Sequence, residues 1–366
     1  DQLLNQGIVT PRVFFTHAPA YTTPLEEKKP MTVEIRDKAL YVNGKPFYPY
    51  SANMAVDNSR ETLQMLKAAG FNSVVIYSAK PEATREIMDR ALEVGLPVIP
   101  WLQGSNEAVL EVVKALKDHP ALLFWYVIDE PREPFSQEVL DRVEQIAQAD
   151  PNHPLMINYL SSTIRENRSR LDRLPGTILS CDIYPIANNK WPGSLLDPAD
   201  TTAAMKAGLA HTPKIPMFYL QMSGNAFMNE REPTPEEFEA MVYSTWIAGA
   251  KGLFFFQNIP LSPRLLTVAG QLGRELNALT PLAAAPESSL GYTVSNPGIR
   301  SVLKEHEGSL YLVCVNTTPE PITARFNPKK GSQAEVLFEN HTAIPIRQGS
   351  FSDTFPPYGR RIYKIR

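Results

Sequence analysis

Asp129 and Glu130 are adjacent carboxylates. They follow the apolar run Leu122-Leu123-Phe124-Trp125-Tyr126-Val127-Ile128 and precede Pro131. Carboxylates beside aromatic side chains are costly to bury unless they are paired or put to use. Two neighbouring acids also resist double ionisation, so one of them keeps its proton to higher pH. A protonated acid beside an ionised one suits general acid/base chemistry. The apolar run reads as a fully buried parallel strand. The acids then stand where that strand leaves the sheet, which is the catalytic face in a (β/α)8 barrel.

Other chemistries find little support. The two cysteines, Cys181 and Cys314, fall in segments assigned to different domains, so a disulfide is not expected. Six histidines are scattered without an H-x-x-x-H pattern, and no metal or cofactor is expected. Ser223, Cys181 and the histidines show no nucleophile elbow or dyad. A formal net charge of −3 gives no reason to expect nucleic acid or an anionic membrane as partner. No apolar run approaches the ~20 residues that span a bilayer. The chain starts at Asp1 rather than Met, which suggests a processed product, and a secreted or periplasmic location is expected.

The acids need a frame. At 366 residues the chain suits a barrel of roughly 250 residues plus a smaller module. Val13-Phe14-Phe15 reads as one short strand. Val33–Arg36 and Ala39–Val42 read as a hairpin, with a second turn at Asn43-Gly44 before Lys45-Pro46-Phe47. Strands are then predicted at Tyr48–Asn53, Ser73–Ser78, Pro97–Leu102, Leu122–Asp129, Leu155–Tyr159, Ile178–Tyr184, Pro216–Met222 and Gly252–Gln257. Helices are predicted between them at Arg60–Ala69, Glu82–Val94, Asn106–Lys117, Gln137–Ala147, Arg165–Leu174, Thr201–Leu209 and Pro235–Ala248, with Pro263–Leu279 closing the series. Eight strand and helix repeats favour a closed parallel barrel. A doubly wound sheet would want a G-x-G-x-x-G turn after its first strand, and none is present. Short alternating segments from Ser301 to Ile365 read as an antiparallel β-sandwich. The expected organisation is an extension and hairpin over 1–46, a barrel over 47–285 and a sandwich over 286–366.

The carboxyl ends of the eight strands carry Asn53, Tyr77, Trp101, Gln103, Asp129, Glu130, Tyr159, Asp182, Tyr184, Gln221 and Gln257. Aromatic rings stack on the C–H faces of sugars, and amides and acids bind hydroxyls. This mixture suits a carbohydrate better than a phosphate, which would want Arg, Lys or a Gly-rich turn at a helix N-terminus. Trp101 reads equally as a sugar platform or as an indole capping the core. Trp191 lies on a loop, where a subsite role is favoured. Trp125, Trp246 and His153 read as structural.

Several segments resemble the clan A glycoside hydrolases, the barrel glycosidases related to cellulases and β-galactosidases. Tyr41-Val42-Asn43-Gly44-Lys45-Pro46-Phe47 resembles the start of the barrel in family 2-like members. The stretch His119–Pro131 resembles their fourth strand, which ends in Asn-Glu-Pro. Asp182-Ile183-Tyr184-Pro185 resembles the sixth strand, and Gly249–Phe256 the eighth. The resemblance spans roughly 33–280 and implies hydrolysis of a β-linked glycoside with Glu130 as general acid/base.

Two departures stand out. Asp129 replaces the family's asparagine, and Gln221 takes the place of its strand-seven glutamate nucleophile. A neutral amide cannot form a glycosyl ester. Three accounts stay open. The second carboxylate is Asp182, Glu230 or Glu232. Alternatively, the substrate supplies its own nucleophile, as in the N-acetylhexosaminidases, whose adjacent Asp-Glu pair and acetamido-holding tyrosine resemble Asp129-Glu130 with Tyr184. In the third, the barrel only binds glycans.

Overall fold

The computed structural model describes residues 29–54, 58–190, 192–222, 224, 230–256, 262–339 and 343–366. The strand expected at Val13-Phe14-Phe15 lies outside them.

Three short strands open the fold: β1 (Val33–Arg36), β2 (Ala39–Val42) and β3 (Lys45–Phe47), paired antiparallel. Asp37 and Lys38 both have positive φ (49° and 60°), as the tight turn of a two-residue hairpin requires. Met31, Val33, Leu40 and Val42 join Ile178, Ile215 and Met217 in one buried cluster. Ile178 and Ile215 begin their strands, so the hairpin plugs the floor of the barrel.

Eight parallel strands close that barrel: β4 (Tyr50–Met54), β5 (Ser73–Ser78), β6 (Val98–Leu102), β7 (Trp125–Asp129), β8 (Leu155–Tyr159), β9 (Ile178–Ile183), β10 (Ile215–Gln221) and β11 (Leu253–Phe256). The helices are α1 (Arg60–Ala68), α2 (Pro81–Val94), α3 (Asn106–Leu116), α4 (Gln137–Ala149), α5 (Ser161–Glu166), α6 (Asp197–Gly208), α7 (Pro235–Ala248), α8 (Pro263–Ala278) and a short α9 (Thr280–Ala284). The expected (β/α)8 architecture is the one observed. Ser59, Ser105, Ser136, Thr234 and Ser262 each accept a backbone N–H at a helix start. One predicted helix is cut short. Over Arg165–Leu174 only α5 and a 3-10 turn at Leu171–Arg173 form. Asn167 explains the break: its amide donates to Thr163 O and accepts from Arg170 Nε, competing with helix continuation.

The C-terminal strands are β12 (Thr293–Val294), β13 (Ile299–His306), β14 (Ser309–Asn316), β15 (Ile322–Asn327), β16 (Gln333–Leu337), β17 (Ile344–Pro345), β18 (Phe351–Phe355) and β19 (Arg360–Ile365). They form antiparallel sheets ordered β12-β15-β18 and β13-β14-β19-β16-β17, and Phe326, Phe351, Phe355 and Tyr363 pack between the sheets. Strand β18 was not anticipated, because Ser352-Asp353-Thr354 hides the two buried phenylalanines at its ends.

Helix α7 is apolar nearly all round and buries nine residues. It lies between the barrel and strands β13, β14 and β19, which explains the lack of a polar face. A buried ionic cluster joins the same layers. Arg360 of β19 grips Glu275 of α8 with Nη2 to Oε1 at 2.5 Å and Nε to Oε2 at 3.1 Å. Tyr243 donates to the same carboxylate at 2.9 Å, and the Arg360 N–H reaches Glu239 at 3.2 Å.

Candidate active site

Side chains of a strand alternate between the barrel interior and the helix layer. Interior positions are Asn53 on β4, Tyr77 on β5, Trp101 on β6, Tyr126 on β7, Asn158 on β8, Asp182 on β9, Tyr219 on β10 and Phe254 and Phe256 on β11. Strand β7 breaks the alternation. Its register against β8 slips between Tyr126 and Ile128, which leaves Val127 as a bulge. Val127 and Ile128 both pack outward with the helix layer. The slip turns Asp129 inward, opposite Asn158.

Asn158 organises the acids. Its Nδ2 donates to Asp129 Oδ1 at 3.1 Å and to Asp182 Oδ1 at 2.9 Å. Two carboxylates from different strands are therefore held on one amide nitrogen. Tyr126 Oη donates to the same Asp129 oxygen at 2.6 Å. Burial is the main force that pushes the Asp182 carboxyl up to about 7, reinforced by the charges of Glu130 and Asp129. Hydrogen bonds from Asn158 and Tyr184 pull it back toward ionisation.

Glu130 follows in the left-handed region, with φ 45°. Such a backbone is uncommon for a residue with a side chain and marks a position held by its surroundings. The holding contact is the Glu130 N–H, which donates to Asn158 O at 2.8 Å. The Glu130 carboxyl is exposed at the rim. Partial burial raises its pKa first, Asp129 raises it further, and Arg132 opposes both. The three acids are thus arranged around Asn158, two facing it with side chains and the third tied to it by backbone.

An aromatic stack runs across the interior. Tyr77 stacks on Trp101 at 4.6 Å between centroids, and Trp101 on Tyr126 at 5.0 Å. Tyr219 continues the row and stacks on Phe254 at 4.8 Å. Tyr77 and Trp101 form the accessible end, while Tyr126 and Tyr219 are buried. Tyr184 lies half-buried near Phe256. Asn53 is buried with neither amide atom bonded to protein among the described residues, and Tyr219 Oη is in the same state.

Of the expected site residues, the structure gathers Asn53, Tyr77, Trp101, Asp129, Glu130, Asp182 and Tyr184 at one mouth. Tyr159 is a correction. It shares the parity of Leu155 and Ile157, points into the helix layer and donates to Pro175 O at 2.8 Å. Gln221 is buried and turned on the main chain: its Oε1 accepts from Ile186 N at 2.8 Å and its Nε2 donates to Ile186 O at 3.1 Å. A glutamate could answer the N–H but not the carbonyl. Gln221→Glu is therefore expected to destabilise the fold by about 1–3 kcal/mol, the cost of an unmatched buried polar group. Urea denaturation measures this, and no gain in hydrolytic rate should accompany it. Trp191 and Gln257 lie outside the described residues. Glu230 accepts from Asn189, and Glu232 accepts from Ser262 N at 3.0 Å, so both brace loops. Trp125 donates to Asp150, which also holds His153, as structural groups do.

Sequence reading missed Asn158, Tyr126 and Tyr219. Period-two alternation through Met156 and Met217 would have found Asn158 and Tyr219. Both cysteines are buried and free. Among the described residues no helix is long and apolar enough to cross a membrane.

No protein-family profile matches this sequence, and no curated protein does. Solved structures match it by shape. One described as a glycoside hydrolase aligns with a TM-score of 0.60 at 12% identity, over 91% of this chain and 96% of its own. A glycoside hydrolase family 5 protein from Bacteroides vulgatus aligns at 0.59 and 14% identity, covering 92% and 93%. A GH30 endoxylanase from Clostridium papyrosolvens aligns at 0.51 and 14% identity, covering 92% and 100%. At such identities the likeness is one of fold.

Proposed function

We propose that this chain is a glycoside hydrolase that cleaves a β-linked glycan, with Glu130 as general acid/base. The observation that carries the reading is the Asn158 amide bridging Asp129 and Asp182 beside Glu130. Glu130 protonates the departing glycosidic oxygen as the bond to the anomeric carbon breaks. It then takes a proton from the water that attacks that carbon. Its raised pKa suits the first step, and its rim position gives water access for the second. Asp182 is the second carboxylate of the pair: it bonds to the anomeric carbon as the leaving oxygen departs and is displaced by the attacking water, and Asp129 is tethered beside it by Tyr126 and Asn158. The Tyr77–Trp101 face is the sugar platform, and the Asn53 amide supplies unused hydrogen-bonding capacity for hydroxyls. The shared fold with glycoside hydrolases supports the reading without assigning a sugar.

A second reading is favoured by Gln221. With that position on Ile186, no strand-seven carboxylate faces the site among the described residues. Substrate assistance by a 2-acetamido group, oriented by Asp129 and Tyr184, then replaces the protein nucleophile. Aryl glycosides with and without the 2-acetamido group separate the two: strict dependence on it selects assistance, and indifference selects Asp182.

Asp182 sets a pH signature. Its folded pKa of about 7 exceeds its ordinary 3.8, so the folded chain binds the extra proton between those values. Stability contributed by that proton is present at low pH and lost as pH rises through about 7. Asp182→Asn is expected to flatten the fall of Tm over this window. It should also remove most of kcat/KM at every pH, because a neutral amide cannot take the carboxylate's place at the anomeric carbon. An unchanged kcat/KM would take Asp182 out of the mechanism.

A further inference from the structure

A cavity of about 1240 Å³ lies at the opposite end of the barrel from Glu130. It is bounded by the floor hairpin, the ends of α6, α7 and α9, and the sandwich strand β13, and opens to solvent. Six cationic side chains line it: Lys38, Lys206, Lys214, Lys251, Arg300 and Lys304. Four of them are accounted for. Lys206 pairs with Glu287 and Arg300 with Asp200. Lys38 donates to the carbonyls of Leu209 and Thr212, and Lys214 to those of Asp172 and Leu174.

Lys251 and Lys304 differ. Lys304 is buried, at 7% exposure, and Lys251 is half-buried. Each ammonium donates to one backbone carbonyl, Lys251 to Ala283 O and Lys304 to Ala285 O, both at 2.7 Å. The two acceptors lie at the C-terminal end of α9, Ala283 within it and Ala285 just after it, so a lysine of the barrel and a lysine of the sandwich dock on the same helix end. An ammonium has three donors, and neither lysine has a carboxylate within ion-pairing distance among the described residues. Glu287, which acts on both, is held by Lys206. Buried cations without counter-charge are costly.

We propose that this cavity binds a small anion of phosphate or carboxylate type, clamped between Lys251 of the barrel and Lys304 of the sandwich. Burial, then the neighbouring lysine charges, holds Lys251 down to about 7. Burial also lowers Lys304, to about 8. A bound anion favours the charged form of both ammonium groups and uses the spare N–H donors. Tyr41 and Tyr292 flank the cavity and give an organic anion apolar surface to rest on. The site is independent of the glycosidase reading.

Calorimetric titration of the full chain with inorganic phosphate, and separately with succinate, tests it at neutral pH and matched ionic strength. Saturable binding of at least one is expected, weakened about tenfold or more by Lys251→Met with Lys304→Met and unchanged by Glu130→Gln. Phosphate alone binding names a phosphoryl group; both binding names a carboxylate-tolerant site. Absence of saturable binding of either, or equal binding by the double variant, overturns the proposal. Should the double variant not fold, the wild type decides: phosphate must raise Tm above chloride of equal ionic strength, and no rise overturns it.

Discussion

Glu130→Gln is expected to lower kcat/KM for an unactivated glycoside by about 10³-fold, within the range for loss of a general acid/base. The loss arises at one step. Without a proton donor, the departing oxygen must leave as an alkoxide, and glutamine offers only an amide hydrogen. A nitrophenyl glycoside needs little protonation to leave, so its first step should suffer far less. That contrast between substrates is the signature of a proton donor rather than of a damaged pocket. Folding should survive, because the side chain is exposed and its backbone N–H still reaches Asn158. Sugar binding should survive as well, measurable by calorimetry. Equal rates in variant and wild type would remove Glu130 from catalysis. A wild type inert on a broad panel, yet able to bind sugars, would make the barrel a binding protein.

Arg360→Met is expected to cost about 3–5 kcal/mol of stability, the range for breaking a buried ion pair from one side. The guanidinium holds both oxygens of Glu275 and touches Glu239 and Glu339. Its loss leaves those carboxylates crowded at a layer where Glu239 is already raised by burial. Tyr243 would remain as a neutral donor to Glu275. Pairing the change with Glu275→Leu should recover much of the loss, because the stranded charge is then gone. Urea denaturation of the single and double variants gives the coupling. A loss under about 1 kcal/mol, as for an exposed pair, would show that the cluster does not hold the sandwich to the barrel.

The frame was legible because its signals are local. Leu155–Tyr159 and Ile215–Gln221 are apolar runs of strand length, and Thr234-Pro235-Glu236-Glu237 announces a helix through a capping box. The carboxylates were legible too, since an apolar run that ends in two acids has few uses. The direction in which they face was not. Strict alternation from Tyr126 turns Ile128 inward and Asp129 outward, and only the bulge at Val127 reverses this. A bulge depends on the partner strand, which the sequence of β7 does not contain. Gln221 was read as a lost nucleophile, whereas its amide answers both polar groups of Ile186, a residue far away in sequence. Tyr159 could have been placed from parity alone. Arg360 escaped notice because its meaning lies in Glu275, on an element eighty-five positions earlier.

The bulge has a wider consequence. Below Val127 the strand answers to the packing of the barrel interior, through Tyr126, whose hydroxyl also reaches across the slip to Asp129; above it, the same strand answers to chemistry. The extra residue puts these halves out of phase, as a clutch separates an engine from its load. Apolar positions in the lower half can drift under selection for stability while the phase of Asp129 stays set by its pairing with Asn158. A strand built this way couples its two halves at one point, the Tyr126 hydroxyl on Asp129.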